Sequence, residues 1–362
     1  MSAVLLPIAA QRPGGGAPLP KRDPVTRIPV LVLFPHSRCN CRCLMCDIWK
    51  VRKEREISAE EVARWLPEWR RMGVSSVVLS GGEPLMHSDL FALCAPLREA
   101  GIAITLLSSG LLLARNAEAI ARSVDEVLVS LDGPREIHDA IRSVPRAFDR
   151  LADGVAALKT RHPSFPVSGR CTVQRKNAPH LLSTVEAARA IGLDRISFLA
   201  VDVASDAFNR PRGGGETPAA ELLPSAVELQ ALEAGLGALE RDNARDFASG
   251  FIAESPEKLR RTLLDQFRAL AAGRAPEGAP CNAPWVSAVV ESDGTVRPCF
   301  FHPPLGNIRE AGSLESVLNG ERAIAFRRSL DVLTDPVCVR CVCRLNLRES
   351  EVPRREEALR GG

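Results

Sequence analysis

From residue 26 onward the chain keeps one beat: a short apolar run, a loop, then a stretch whose apolar residues recur every three or four positions. The apolar runs are Ile28–Phe34, Val74–Leu79, Ile102–Leu107, Glu126–Leu131, Val167–Val173 and Arg195–Val201. Short runs of this kind, rich in Val, Ile and Leu, predict strands buried on both faces. Between them the helical period covers Ser58–Met72, a stretch reaching Ala100, a short piece before Glu126, then Arg146–Arg161 and Ala178–Ile191. Ser58 and Glu61 have capping-box spacing, and Gly73 supplies the stop. Strands alternating with helices predict parallel βα units. Six units over residues 26–205 fit a partial (β/α)6 TIM-like barrel better than a closed eight-fold one.

The flanks break this beat. Residues 1–25 are rich in Pro and Gly (QRPGGGAPLPKRDP) and are expected to form a disordered arm ahead of a barrel core at 26–210. The Gly-rich connector Pro211-Arg-Gly-Gly-Gly opens a linker with helices at 211–274, its helical stretches lying around 225–243 and 256–272. Residues 275–345 have hairpin character, Trp285–Val290 and Thr295–Phe300 about Ser-Asp-Gly, and are expected to form a small second domain. A mixed-charge tail at 346–362 is expected to fray. A length of 362 residues leaves room for about two domains.

Composition narrows the function classes mainly by exclusion. Lys+Arg 47 against Asp+Glu 44 leaves a net charge of +3, too balanced to argue for a nucleic-acid or membrane partner. No apolar run approaches the ~18 residues of a membrane span. The opening MSAVLLPIAA lacks a basic n-region and contains a Pro, so a cytoplasmic protein is expected. The anomaly is 11 cysteines, an odd number that argues against a disulfide framework. Cys94 and Cys171 stand alone and are expected to be small buried hydrophobes. The other nine cluster: Cys39, Cys41, Cys43 and Cys46 directly after the first strand run, then Cys281, Cys299, Cys338, Cys341 and Cys343 near the end. Clustered thiols in a reducing compartment bind soft metals, zinc or iron–sulfur.

The spacing within the first cluster carries chemistry. Cys39, Cys43 and Cys46, separated by three and two residues in one loop, can wrap three corners of a cubane and leave the fourth iron open. Zinc is the bland alternative, with Cys41 as fourth ligand, but structural zinc prefers four ligands in two pairs. At the end of the second strand run stands Ser80-Gly-Gly-Glu83-Pro84, at the third Ser108-Ser109-Gly110, and at the fourth Ser130-Leu131-Asp132-Gly133. Taken in this order, residues about 28–205 resemble the radical S-adenosylmethionine (SAM) superfamily, whose signature is CxxxCxxC after the first barrel strand. Ser108-Ser109-Gly110 departs from the Thr-Asn-Gly common there. The resemblance implies a SAM-binding [4Fe–4S] cluster on Cys39, Cys43 and Cys46. It also implies that the SAM ammonium is received by the backbone of Gly81 and Gly82 and by Glu83, with adenine against Met45. Ser130 and Asp132 would contact the ribose, Ser108 would add a polar contact, and Arg170 would point into the barrel toward the SAM carboxylate or the substrate.

The later cysteines resemble the SPASM/twitch subgroup of that superfamily: Cys281, twelve residues, Gly294, four residues, Cys299, then Cys338-Val-Arg-Cys341. This implies a twitch/SPASM-like domain with an auxiliary [4Fe–4S] cluster on Cys281, Cys299, Cys338 and Cys341. Cys343 is an alternative to Cys341, and zinc is the other reading of the tetrad. His302 is expected to be a partly exposed structural histidine, with a donor role toward the auxiliary cluster as the alternative. The reaction implied is reductive cleavage of SAM to a 5′-deoxyadenosyl radical that abstracts hydrogen from substrate, with flavodoxin or ferredoxin as electron donor. The auxiliary cluster would accept an electron and make the outcome an oxidation. Only residues 1–25 precede the first strand run, which favours a small-molecule substrate of natural-product or cofactor type over a peptide or protein. A non-catalytic Fe–S electron carrier or assembly scaffold also explains the cysteines, but leaves the Gly-Gly-Glu-Pro loop, Ser130 and Asp132 without a task.

Overall fold

Each of the six predicted strands pairs in parallel with the next, and the alternating helices cover them. The computed structural model describes residues 17–210 and 217–352. The strands are β1 (Val30–Leu33), β2 (Ser76–Leu79), β3 (Ala103–Ser108), β4 (Glu126–Ser130), β5 (Val167–Val173) and β6 (Arg195–Ala200). The helices between them are α1 (Ala59–Arg71), α2 (Leu90–Glu99), α3 (Leu113–Ser123), α4 (Arg135–Arg142), α5 (Ala147–Arg161) and α6 (Leu181–Ala190). β1 and β2 are buried at every position, as strands sandwiched between helices and a barrel interior must be.

Local chemistry sets the element ends. Ser58 caps α1, its hydroxyl accepting from the Glu61 N–H while Glu61 accepts from the Ser58 N–H at 2.9 Å, the predicted capping box. Gly73 ends the helix with φ +72°. Trp65 and Trp69 on its inner face are buried. A large apolar side chain fully removed from water contributes about 1.5–3 kcal/mol, so that face, not intrinsic propensity, holds α1 in place.

The C-terminal segment does not stand apart from this sheet. After a short helical turn, Ala283–Val286, β7 (Ser287–Val290) pairs in parallel with β1, Val30 opposite Ser287. β8 (Thr295–Arg297) and β9 (Gly306–Asn307) follow antiparallel, giving nine strands in the order β6-β5-β4-β3-β2-β1-β7-β8-β9. The hairpin is shorter than its apolar pattern suggested. Pro284 opens a helical turn where Trp285 was expected to begin a strand, and Pro298, which lacks an N–H, follows directly on the end of β8. Gly294 turns the hairpin with φ +86°, and a Cβ there would lie 2.7 Å from Asn307 Oδ1.

Part of the expected disordered arm is packed. Leu19 is buried, and its N–H donates to the Leu347 carbonyl at 2.8 Å; Asn282 Nδ2 binds both the Leu19 and Leu347 carbonyls. The Val25 N–H donates to Asn319 Oδ1 at 2.8 Å, and Arg327 pairs with Asp23. Two apolar side chains and these polar partners hold residues 17–25 against the C-terminal segment, and the fully buried Leu347 likewise anchors the start of the expected tail. Residues 1–16, the connector at 211–216 and residues 353–362 lie outside the described residues. Among those described, no helix is long and apolar enough to cross a membrane.

Candidate active site

The C-terminal ends of the strands surround a cavity of about 230 Å³. Cys39, Cys41, Cys43 and Cys46 line it from the loop after β1, and Ser80, Gly81 and Gly82 from the loop after β2. Met45, Ser108, Ser130 and Arg170 complete the set of expected residues that reach it. These loops meet because parallel strands end on one side of a sheet, and two glycines let them close. Gly81 has φ +97°, and a Cβ there would lie 2.7 Å from the Phe34 ring; a Cβ on Gly82 would lie 2.0 Å from the Arg38 carbonyl oxygen. The Glu83 N–H donates to that same carbonyl at 2.8 Å, so the backbone of the β2 loop is docked onto the residue preceding Cys39.

Two expected residues do not reach the cavity, and the reason is visible in their partners. Glu83 is fully buried, and its carboxylate accepts from Ser108 Oγ at 3.0 Å, from the Ser109 N–H at 2.8 Å and from Ser109 Oγ at 2.6 Å. Burial pushes this carboxyl up and the Ser109 hydrogen bonds pull it down. Its carboxylate thus ties the β2 loop to the β3 loop and leaves the cavity face to backbone. Asp132, also fully buried, pairs with Arg142 at 2.6 Å and accepts the Thr172 N–H at 3.0 Å. Ser130, two residues earlier, faces the cavity.

Arg142 is the residue that motif reading missed. It closes α4, is buried, and donates from its second terminal nitrogen to Cys43 Sγ at 3.5 Å. The Cys43 thiol is held down to about 7, first by its hydrogen bond with Cys41 and then by Arg142, against the opposing effect of burial. No motif announces Arg142, because its partners lie in the cysteine loop and after β4. A second feature without a sequence signal is Phe208. With Asn209 it takes a left-handed backbone conformation, φ 60° and 58°, and its carbonyl accepts the Asp47 N–H at 2.9 Å. Strained non-glycine backbone of this kind gathers at functional sites. Phe208 packs edge-on to Phe301 at 6.3 Å, and Phe300 packs on Phe34 at 5.8 Å, so aromatic rings from the C-terminal segment wall the cavity.

Behind those rings lies the second cysteine set. Cys281, Cys299, Cys338, Cys341 and Cys343 line one small cavity together with His302. His302 is buried rather than partly exposed, with Nε2 3.2 Å from Cys338 Sγ; the apolar ring packs on Phe326 and keeps it from water. Cys343 alone among the five also lines the first cavity, while its N–H lies 3.4 Å from Cys341 Sγ. Cys94 and Cys171 are fully buried, as expected. Soft thiols with open space between them suit an iron–sulfur cluster. Among the described residues no three cysteine sulfurs lie within 4.8 Å of one another, whereas tetrahedral zinc thiolates stand on the order of 3.8 Å apart for bonds of about 2.3 Å.

Residues 33–201 match the family model described as the radical SAM superfamily, and residues 281–342 match SPASM, an iron–sulfur cluster-binding domain. The chain belongs to the radical SAM superfamily. Its cofactors are [4Fe–4S] clusters and SAM. Similar curated proteins include an AdoMet-dependent heme synthase of Methanosarcina barkeri, 31% identical over 46% of this chain and 49% of that protein. Another is a PqqA peptide cyclase of Ruegeria pomeroyi, 29% identical over 79% of this chain and 71% of the relative. A pre-heme d1 synthase of Dinoroseobacter shibae matches at 29% identity over 46% of its own length, so the chain spans about half of several relatives it matches. Among solved structures, Streptococcus suis SuiB bound to S-adenosylmethionine has TM-score 0.61 at 16% identity, covering 88% of this chain and 72% of SuiB. The enzyme anSMEcpe with bound AdoMet has TM-score 0.61 at 19% identity, covering 91% of each chain. At such identities the likeness establishes a shared fold.

Proposed function

We propose that the protein is a radical SAM enzyme that abstracts a hydrogen atom from a small-molecule substrate held between the two cysteine sets. The observation that carries this reading is the single cavity onto which Cys39, Cys43, Cys46, Gly81, Gly82, Ser130 and Arg170 all open. When bound, the cluster supplies the electron that divides SAM into methionine and a 5′-deoxyadenosyl radical. Cys39, Cys43 and Cys46 hold that cluster, and Arg142 offsets thiolate charge at Cys43. The backbone of Gly81 and Gly82 receives the SAM ammonium at close range, which a Cβ would prevent. Met45 lies against adenine, Ser108 and Ser130 supply hydroxyls along the strand ends, and Arg170 takes a carboxylate. Glu83 and Asp132 act as positioning residues behind this surface. Phe208, Phe300 and Phe301 exclude water from the reacting atoms.

Cys281, Cys299, Cys338 and Cys341 hold the auxiliary cluster, with His302 beside Cys338. Four protein thiols leave it no open position, which suits electron acceptance and a net oxidation of substrate. Flavodoxin or ferredoxin supplies the reducing electrons. A peptide substrate is the second reading, favoured by the extent of the match to a peptide cyclase.

The test is anaerobic reconstitution followed by SAM and dithionite. About eight irons per chain, for two four-iron clusters, together with 5′-deoxyadenosine release are expected. Cluster binding without any SAM cleavage, even with cell extract supplied as a source of substrate, would instead identify a scaffold.

A further inference from the structure

A second polar chamber of about 230 Å³ adjoins the first, and Arg170, Leu199, Val342 and Cys343 form the wall they share. Its far side is built by the helical segment after the linker. There the stretch Arg260–Asp265 is π-helical, between α-helical turns at Pro256–Leu259 and Gln266–Ala271. Insertions of this kind are costly and gather at functional sites. Here the chamber is lined from that segment by Lys258, Arg261 and Thr262. Lys258 and Arg261 enter no salt bridge among the described residues, although 47 basic side chains share the molecule with 44 acidic ones.

Facing them is Glu254, 7% exposed, whose carboxylate accepts the Phe198 N–H at 3.1 Å. Burial pushes this carboxyl up to about 7, against the pull of Lys258 and Arg170, the two cations that act on it. The same two cations also bear on the Cys343 thiol, so the charges converge on the wall next to the first cavity. Arg344 contributes less, since one of its terminal nitrogens is already bound to the Glu277 and Val339 carbonyls.

We propose that this chamber is the subsite for a carboxylate group of the substrate, held by Lys258 and Arg261 beside the Glu254 carboxyl. The proposal rests on the reading of the neighbouring cavity as the reaction site, and it names the chemistry of the molecule that enters it. A carboxylate suits the chamber better than a phosphate. A carboxyl that retains its proton donates to a second carboxylate, whereas a dianionic phosphate forces ionic repulsion once that proton leaves. A ligand anchored here extends past Cys343 and Arg170 into the first cavity, which puts its carbon skeleton, not its acid group, at the reacting centre.

Equilibrium binding tests this without turnover, so its failure is separable from failure of the proposed reaction. Glutarate, glutaramide and inorganic phosphate are titrated calorimetrically into the reconstituted protein, its K258Q/R261Q variant and its K258R/R261K variant. Glutarate is expected to bind, with glutaramide and phosphate at least about tenfold weaker, the charge-removing variant losing about tenfold and the charge-conserving one retaining affinity. Both positions are at least partly exposed, so the variants fold. Absent glutarate binding, affinity unchanged in K258Q/R261Q, or phosphate binding as tightly as glutarate would each overturn the proposal.

Discussion

Arg142 shows how a buried charge can be placed for a thiol rather than for the fold. Its guanidinium is enclosed with the Asp132 carboxylate on one side and Cys43 Sγ on the other. Truncating one partner of a buried pair costs on the order of 3–5 kcal/mol, because the other charge is left without compensation. R142M is therefore expected to lower the unfolding free energy of the apoprotein by about 3 kcal/mol, and R142M/D132N to recover much of it. Reconstituted R142M should also show a changed reduction potential at the first cluster, a readout that a purely structural role would leave alone. Glu254 makes a second prediction at this scale. The folded state holds its proton up to about pH 7, while the unfolded chain releases it near its ordinary value of 4.5. Its contribution is therefore greatest below that window and declines as pH rises through it, by on the order of 3 kcal/mol. Urea unfolding of wild type and E254Q at pH 5 and pH 8 checks this: the wild type's advantage should shrink toward pH 8. An advantage that grew instead would mean that Glu254 is ionised in the fold.

At the scale of elements, the strand-end loops were legible because each rests on a local pattern: an apolar run, then glycines or cysteines at fixed spacing. Ser58–Glu61 and Gly73 were legible for the same reason. The direction of Glu83 and Asp132 was not, because it depends on Ser108, Ser109 and Arg142, residues brought in by neighbouring strands. Nor was the pairing of β1 with β7, which joins Val30 to Ser287 across most of the chain's length. That pairing has a consequence for stability. Without β7, the edge of β1 would expose unpaired N–H and C=O groups beside four buried apolar side chains. A fragment ending at residue 274 is expected to aggregate or bind a hydrophobic dye, although it retains the complete three-cysteine motif. If that fragment were soluble, monomeric and as resistant to urea as the full chain, the C-terminal segment would be an appendage to an independent barrel.

Across the whole molecule, the continuous sheet and the shared wall at Cys343 hold two cysteine sets in a fixed relation on either side of Phe300 and Phe301. Because each set draws its thiols from its own loops, loss of one cluster should not empty the other. C43A is expected to keep about four irons and C299A about four, against about eight in the wild type. The fifth thiol separates two arrangements of the second set. If Cys341 is the fourth ligand, C341A loses the auxiliary irons and C343A keeps them, since Cys343 then faces the first cavity as a free thiol. The reverse pattern would move Cys343 into the cluster and leave the wall between the chambers without a reactive group. The functional split follows from the same geometry: C43A should abolish 5′-deoxyadenosine formation, whereas C299A should still cleave SAM but form no oxidised product. Normal product from C299A would remove the auxiliary cluster from the electron path and leave the second cysteine set with a purely structural or substrate-orienting role.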